Sequence, residues 1–110
     1  MAKTIRLSHE GNTYTLEYTR ATVGAMERSG FKANELLDKP MIMLPALFAG
    51  AFRAHHPYLN KKVIDEIYDR MDNRQELIAK LSEMYNEPFE ALLGDAEVEE
   101  AKKVSWEADW

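Results

Sequence analysis

The stretch that decides the fold is Met41-Ile42-Met43-Leu44-Pro45-Ala46-Leu47-Phe48-Ala49-Gly50-Ala51-Phe52, twelve residues without a charge that end at Arg53. Twelve apolar residues fall about six short of the ~18 that a membrane span requires, so the segment is expected to be a core or interface helix of a folded domain. On a helical wheel Met41, Leu44, Phe48 and Phe52 share one side, with Leu47 and Ala51 at its edge. That stripe alone would serve an amphipathic helix. The surplus carries the information: Ile42 and Met43 point elsewhere, and Ala46, Ala49, Gly50 and Ala54 form a flank of small residues. Such a helix is either enclosed by the rest of the fold or offers apolar surface to a partner, and the two readings are compatible. Pro45 either opens the helix or interrupts it one turn in, because it has no amide hydrogen and crowds the carbonyl of Met41.

Upstream of this segment, Ile5, Leu7, Tyr14, Leu16 and Tyr18 alternate with polar residues on both sides of Glu10-Gly11-Asn12. Period-2 alternation around a short glycine-containing turn predicts a β-hairpin, with Gly11 or Asn12 supplying a positive φ. Thr19 is the expected N-cap of a helix that carries Ala21, Val23, Ala25 and Met26 and stops at Gly30. Asn34 is positioned to cap a single turn over Glu35 to Leu37, before Asp38-Lys39-Pro40 breaks it.

Downstream, Asn60 is read as the cap of a helix burying Val63, Ile64, Ile67, Tyr68 and Met71, with Lys61, Asp65, Glu66 and Asp69 on the other face. Asn73 with Glu76 has the form of a capping box for a helix carrying Leu77, Ile78, Leu81, Met84 and Tyr85. Asn86-Glu87-Pro88 reads as a further cap, placing Phe89, Leu92 and Leu93 on a separate short helix ending at Gly94. The fold class that results is mainly α, an N-terminal β-hairpin followed by a compact bundle of four to five helices. Residues 1–94 form the single α-rich domain and 95–110 a frayed acidic tail.

A chain of 110 residues has room for one core. Cysteine is absent, which removes disulfides, thiolate zinc sites and cysteine nucleophiles from consideration. The net charge is −5, of which residues 95–110 hold −4 through six acids against Lys102 and Lys103. A body so close to neutral is unsuited to coating a phosphate backbone, and self-association becomes plausible. No apolar run follows the basic residues of the N-terminus, so the chain is expected to be cytoplasmic; the short apolar run leaves no membrane partner, and the negative net charge no nucleic acid partner.

The histidines and acids of the chain form no catalytic pattern. His55 and His56 are adjacent, hence about 100° apart on a helix, and do not converge on a metal as an i, i+4 pair can. Before Pro57 they read as a helix end, bonding the last carbonyls. His9 lies in the hairpin turn with no partner in its local sequence. Asp65, Glu66 and Asp69 look like a solvated face paired with Lys61, Lys62 and Arg70. Phosphate-binding, nucleophile-elbow and zinc-protease signatures do not occur. The expectation is a non-enzyme without cofactor or metal. Trp106 and Trp110 stand in the tail as aromatic anchors for a partner or as passive residues of a frayed end.

The order of these features resembles that of the small tail assembly chaperones of long-tailed bacteriophages, prophages and gene transfer agents. The matching parts are the hairpin TIRLSHEGNTYTLEYT, the helix ending in ATVGAMERSGF with its Met26-Glu27 and Gly30-Phe31 groupings, the turn with Glu35, Leu36 and Leu37, the apolar helix LPALFAGAFRAHHP, and two further amphipathic helices, over about residues 4–94. The resemblance implies a non-enzymatic protein of the infected or lysogenic host cytoplasm. Such a protein coats the tape measure protein, helps tail tube protein polymerise around it, and is not kept in the mature virion. In many such phages a programmed frameshift adds a second domain. The candidate surface for the tape measure protein is Met41, Ile42, Met43, Leu47, Phe48 and Phe52, whose flexible or bulky side chains suit varied apolar segments. The alternative is a small helical regulator or protein-binding adaptor of a phage or mobile element, which would require a basic recognition helix to act on DNA.

Overall fold

A computed structural model describes residues 3–94 and 102–110. The chain begins with an antiparallel hairpin of β1 (Ile5–His9) and β2 (Asn12–Leu16), in the register Ile5 to Leu16, Leu7 to Tyr14 and His9 to Asn12. Those three pairs share one face, as the period of two requires, and Tyr14 and Leu16 on it are buried. The two turn residues are Glu10 and Gly11, both at positive φ. Asn12 is therefore the first strand residue, and the left-handed geometry sequence reading divided between Gly11 and Asn12 falls on Gly11 and its predecessor. Positive φ at both central positions is what a two-residue hairpin loop of matching twist demands.

Helix α1 (Arg20–Arg28) starts at Thr19, whose hydroxyl accepts from the Thr22 amide at 3.1 Å while the Thr22 hydroxyl accepts from the Thr19 amide at 2.8 Å. It ends as expected at Gly30, with φ of 103°. The Gly30 amide donates to the Glu27 carbonyl at 3.1 Å and the Phe31 amide to the Met26 carbonyl at 3.0 Å. This is the crossed pair of bonds that closes a helix through a left-handed glycine, and it carries Phe31 back over Met26 into the core. The single turn that follows is a 3₁₀ turn at Ala33–Glu35 with Lys32 before it, so it begins earlier than a cap at Asn34 would place it.

Helix α2 (Pro40–Gly50) contains the decisive stretch. Pro40 occupies its first turn, and Pro45 lies inside, so Pro45 does not open the helix. The buried residues are Met43, Leu47, Phe48 and Gly50, followed by Ala51 and Phe52. The stripe thus runs along Met43 and Leu47, whereas the wheel placed it along Met41 and Leu44. An apolar helix has no polar face to fix its rotation, and its neighbours choose the buried side. One of those neighbours is α1: a side chain at Gly50 would collide with the Met26 thioether, so glycine is what lets the two helices approach.

Helices α3 (Lys61–Asp69) and α4 (Arg74–Leu93) complete the bundle. Asn60 caps α3 through its side-chain oxygen, which accepts from the Lys62 amide at 2.8 Å. Ile64 and Ile67 are buried, with Val63, Tyr68 and Met71 packed at the edge of the core. At the start of α4, Asn73 adopts a left-handed conformation and its amide nitrogen donates to Glu76 at 2.6 Å. No side-chain bond to the helix amides forms, which corrects the capping-box reading. Pro88 lies inside α4, so Phe89, Leu92 and Leu93 continue the same 20-residue helix. Proline there removes one amide, and a long helix anchored by buried Leu77, Leu81, Met84 and Tyr85 tolerates the loss. Lys3 bridges this helix and the start of the hairpin, its ammonium 2.7 Å from Glu83 and its amide donating to Glu87 at 3.2 Å.

The core sits where the inner face of the hairpin meets all four helices. An edge-on series of rings runs through it: Tyr14 with Phe52 at 5.9 Å, Phe52 with Phe48 at 5.1 Å, Tyr18 with Tyr85 at 5.5 Å and Tyr85 with Phe31 at 5.2 Å. Of the acidic tail, residues 95–101 lie outside the described residues, and 102–110 are exposed, Trp106 and Trp110 among them.

Candidate functional site

Four of the six residues singled out on the apolar stretch support the fold from inside. Met43, Leu47, Phe48 and Phe52 are buried among the other core residues, so they cannot meet a partner while the domain is folded. Met41 and Ile42 are different, with 88% and 65% of their surfaces exposed. Leu37, four residues before Met41, is 94% exposed. The first turn of α2 therefore projects from the bundle, while its second half enters it. Large apolar side chains are not normally grouped in water without a use, and three within six residues make a local apolar corner.

The far end of the same helix is fastened into the core. After Leu47 the helix tightens, the Ala51 amide turning to the Phe48 carbonyl at 3.1 Å and the Phe52 amide to the Ala49 carbonyl at 3.1 Å. The Leu47 carbonyl accepts instead from the Tyr18 hydroxyl, which is buried just past the hairpin. Burial raises the phenol of Tyr18 far above its ordinary range, with the neighbouring Tyr85 adding to the shift, so the hydroxyl stays a donor.

The histidine pair extends the same joint. The outer edge of β2 presents the amides of Thr15 and Glu17; Glu17 donates to the Ala51 carbonyl at 2.9 Å and Thr15 to the His56 ring Nε2 at 3.0 Å. His55 bonds the Glu17 carboxylate at 2.7 Å. These rings do not bond the last carbonyls of the helix, as their place before Pro57 suggested; they fasten the free edge of a strand, where an unpaired amide would otherwise be lost from water. Accepting from Thr15 requires His56 Nε2 to be without its proton.

A second apolar surface lies at the far end of α4. Phe89, Leu92 and Leu93 are all exposed. An open groove of about 800 Å³ runs beside them, between α1, the Phe31–Asn34 turn and α4, with Val23, Phe31, Tyr85, Phe89 and Leu92 in its walls and Arg20, Arg28 and Lys32 also lining it. The sequence placed Phe89, Leu92 and Leu93 on a separate helix, which hid the place of Phe89 and Leu92 in the wall of this groove. Among the described residues Glu27 is the one acid lining it, and it lies near enough to Tyr85 to raise that phenol, after burial, which is the larger cause. Apolar walls bordered by three cations, Arg20, Arg28 and Lys32, define the groove. No helix among the described residues is long and apolar enough to cross a membrane.

The chain belongs to the family described as domain of unknown function DUF5055, whose model matches residues 1–110. No curated protein and no solved structure matches it.

Proposed function

We propose that this DUF5055 protein is a non-catalytic tail assembly chaperone that holds apolar segments of a tape measure protein and promotes polymerisation of tail tube protein around it in the bacterial cytoplasm. The observation that carries the reading is the apolar corner of Leu37, Met41 and Ile42, exposed just before and within the first turn of a helix whose later residues Met43, Leu47 and Phe48 are buried in the core. A long helical client exposes apolar stripes that aggregate unless covered, and the flexible thioether of Met41 adapts to stripes of differing shape while Leu37 and Ile42 add apolar area beside it. The order of elements that resembles these chaperones is also kept: hairpin, helix, short turn, apolar helix and two further helices.

The contact surface in this proposal is narrower than the sequence suggested, Met41 and Ile42 from the original six, joined by Leu37. The groove beside Phe89 and Leu92 is a second point of contact, and two such points on one small domain favour a client that is long. Association of several copies along that client fits the nearly neutral body.

The test is co-expression with a tape measure protein from the same genome, followed by size-exclusion chromatography. The wild-type chain is expected to keep the client soluble and to elute with it. The M41D/I42D double variant, altered only at exposed positions, is expected to fold normally and release it. Retention of the client by that variant would remove the corner from the proposal.

A further inference from the structure

The turn of the hairpin and the middle of α3 bring together three groups that neither the apolar surfaces nor the core packing uses. His9 ends β1, Glu10 follows it in the turn, and Glu66 lies on α3, 57 positions away in the chain. The His9 side chain is only 10% exposed, and its Nε2 is buried without a hydrogen-bond partner. That nitrogen faces Glu66 Oε2 at 3.7 Å and Glu10 Oε2 at 3.9 Å, and one ligand atom from each of the three residues lies within 4.8 Å of the others. Such distances are too long for hydrogen bonds, and a buried ring nitrogen left unsatisfied is uncommon in a folded protein. They are close to the separation of about 3.3 Å between ligand atoms that metal bonds of about 2.0–2.1 Å impose in a tetrahedral shell.

We propose that His9, Glu10 and Glu66 form a binding site for a divalent transition-metal ion of the zinc class, clipping the hairpin turn to α3. One imidazole and two carboxylates suit zinc better than calcium or magnesium, which favour all-oxygen shells. The three residues leave a fourth position for water. Arg70 sets the carboxylates: its Nη2 is 3.1 Å from Glu66 Oε1 and its Nη1 3.7 Å from Glu10 Oε1, so each acid is held by one oxygen and turns the other towards His9. An outer partner on each ligating carboxylate is the arrangement that fixes metal ligands in place. The exposed Glu10 and Glu66 side chains close the shell by drawing in on His9 Nε2.

The experiment is titration of the full chain with zinc chloride, followed by calorimetry and by the NMR signals of the His9 ring. One saturable site per chain is expected, with the His9 signals shifting in step and the melting temperature rising. E66Q and E10Q, both at positions with exposed carboxylates and checked for unchanged circular dichroism, are each expected to weaken binding at least about tenfold. H55A, which leaves the site intact, is expected to bind as the wild type does. Absence of a saturable signal with zinc, equal affinity in E66Q and the wild type, or loss of binding in H55A would each overturn the assignment, the last by moving the ion to His55 and Glu17.

Discussion

Replacing Leu47 by alanine separates the two halves of α2 more sharply than any other single change. Leu47 has no exposed surface, and its carbonyl is gripped by the Tyr18 hydroxyl, so the backbone at that point has little freedom to sink into the space left behind. Leucine-to-alanine changes in cores cost about 2–5 kcal/mol, the higher figures arising where the site cannot collapse. A value of about 3–4 kcal/mol is therefore expected here. That is a large part of the roughly 5–15 kcal/mol that stabilises a domain of this size, and it lowers the melting temperature by at least about 10 °C. Met41→Ala removes a side chain of similar bulk six residues earlier, yet from an almost fully exposed position, and is expected to change stability by less than about 0.5 kcal/mol. Urea denaturation followed by circular dichroism at 222 nm measures both. If Met41→Ala destabilised as much as Leu47→Ala, the division of the helix into a buried and an outward half would be refuted.

Further outcomes follow from the same contacts. Tyr18→Phe leaves the Leu47 carbonyl without its hydroxyl donor and is expected to cost about 1–3 kcal/mol in the same denaturation assay. Because the phenol of Tyr18 is raised in the folded chain above the ~10 of an unfolded one, its contribution is complete below that pH and falls as pH rises further; stability measured by urea titration should decline above about pH 10, and less steeply in Tyr18→Phe. His56→Ala strips the acceptor from the Thr15 amide, and hydrogen exchange at Thr15 and Glu17 should accelerate while that in α4 is little changed. Gly50→Ala drives a methyl group into Met26 and is expected to destabilise by about 1–3 kcal/mol, partly restored by shortening the neighbour in a Gly50→Ala, Met26→Ala pair.

Much of the scaffold was legible because its signals are local. Alternation from Ile5 to Tyr18 specifies a hairpin, Thr19 and Gly30 bracket α1 by their own capping chemistry, and the charged side of Lys61 to Asp69 leaves Ile64 and Ile67 no choice of face. Where both sides of an element are apolar, that logic fails. Met41 and Leu47 are chemically alike, and only the positions of Tyr18, Met26 and the hairpin decide which is buried. Pro88 misled for a related reason, since a proline ends a helix only when tertiary packing does not hold its two sides together. The joint between His55, His56 and β2, and the approach of Glu66 to His9, are contacts between residues tens of positions apart. No periodicity reports them. Each of these histidines stood out by residue type alone, which identified something to explain without naming its partner.

The central claim is that this chain keeps Met43 and its successors for its own core and offers Met41 to a client. Oxidation of methionines by dilute hydrogen peroxide, read by mass spectrometry with and without the tape measure protein, tests it most directly. Met41 should oxidise much faster than Met43 in the free chain and become protected when the client is bound. Equal rates at Met41 and Met43 in the folded protein, or a Met41 that the client leaves unprotected, would contradict it.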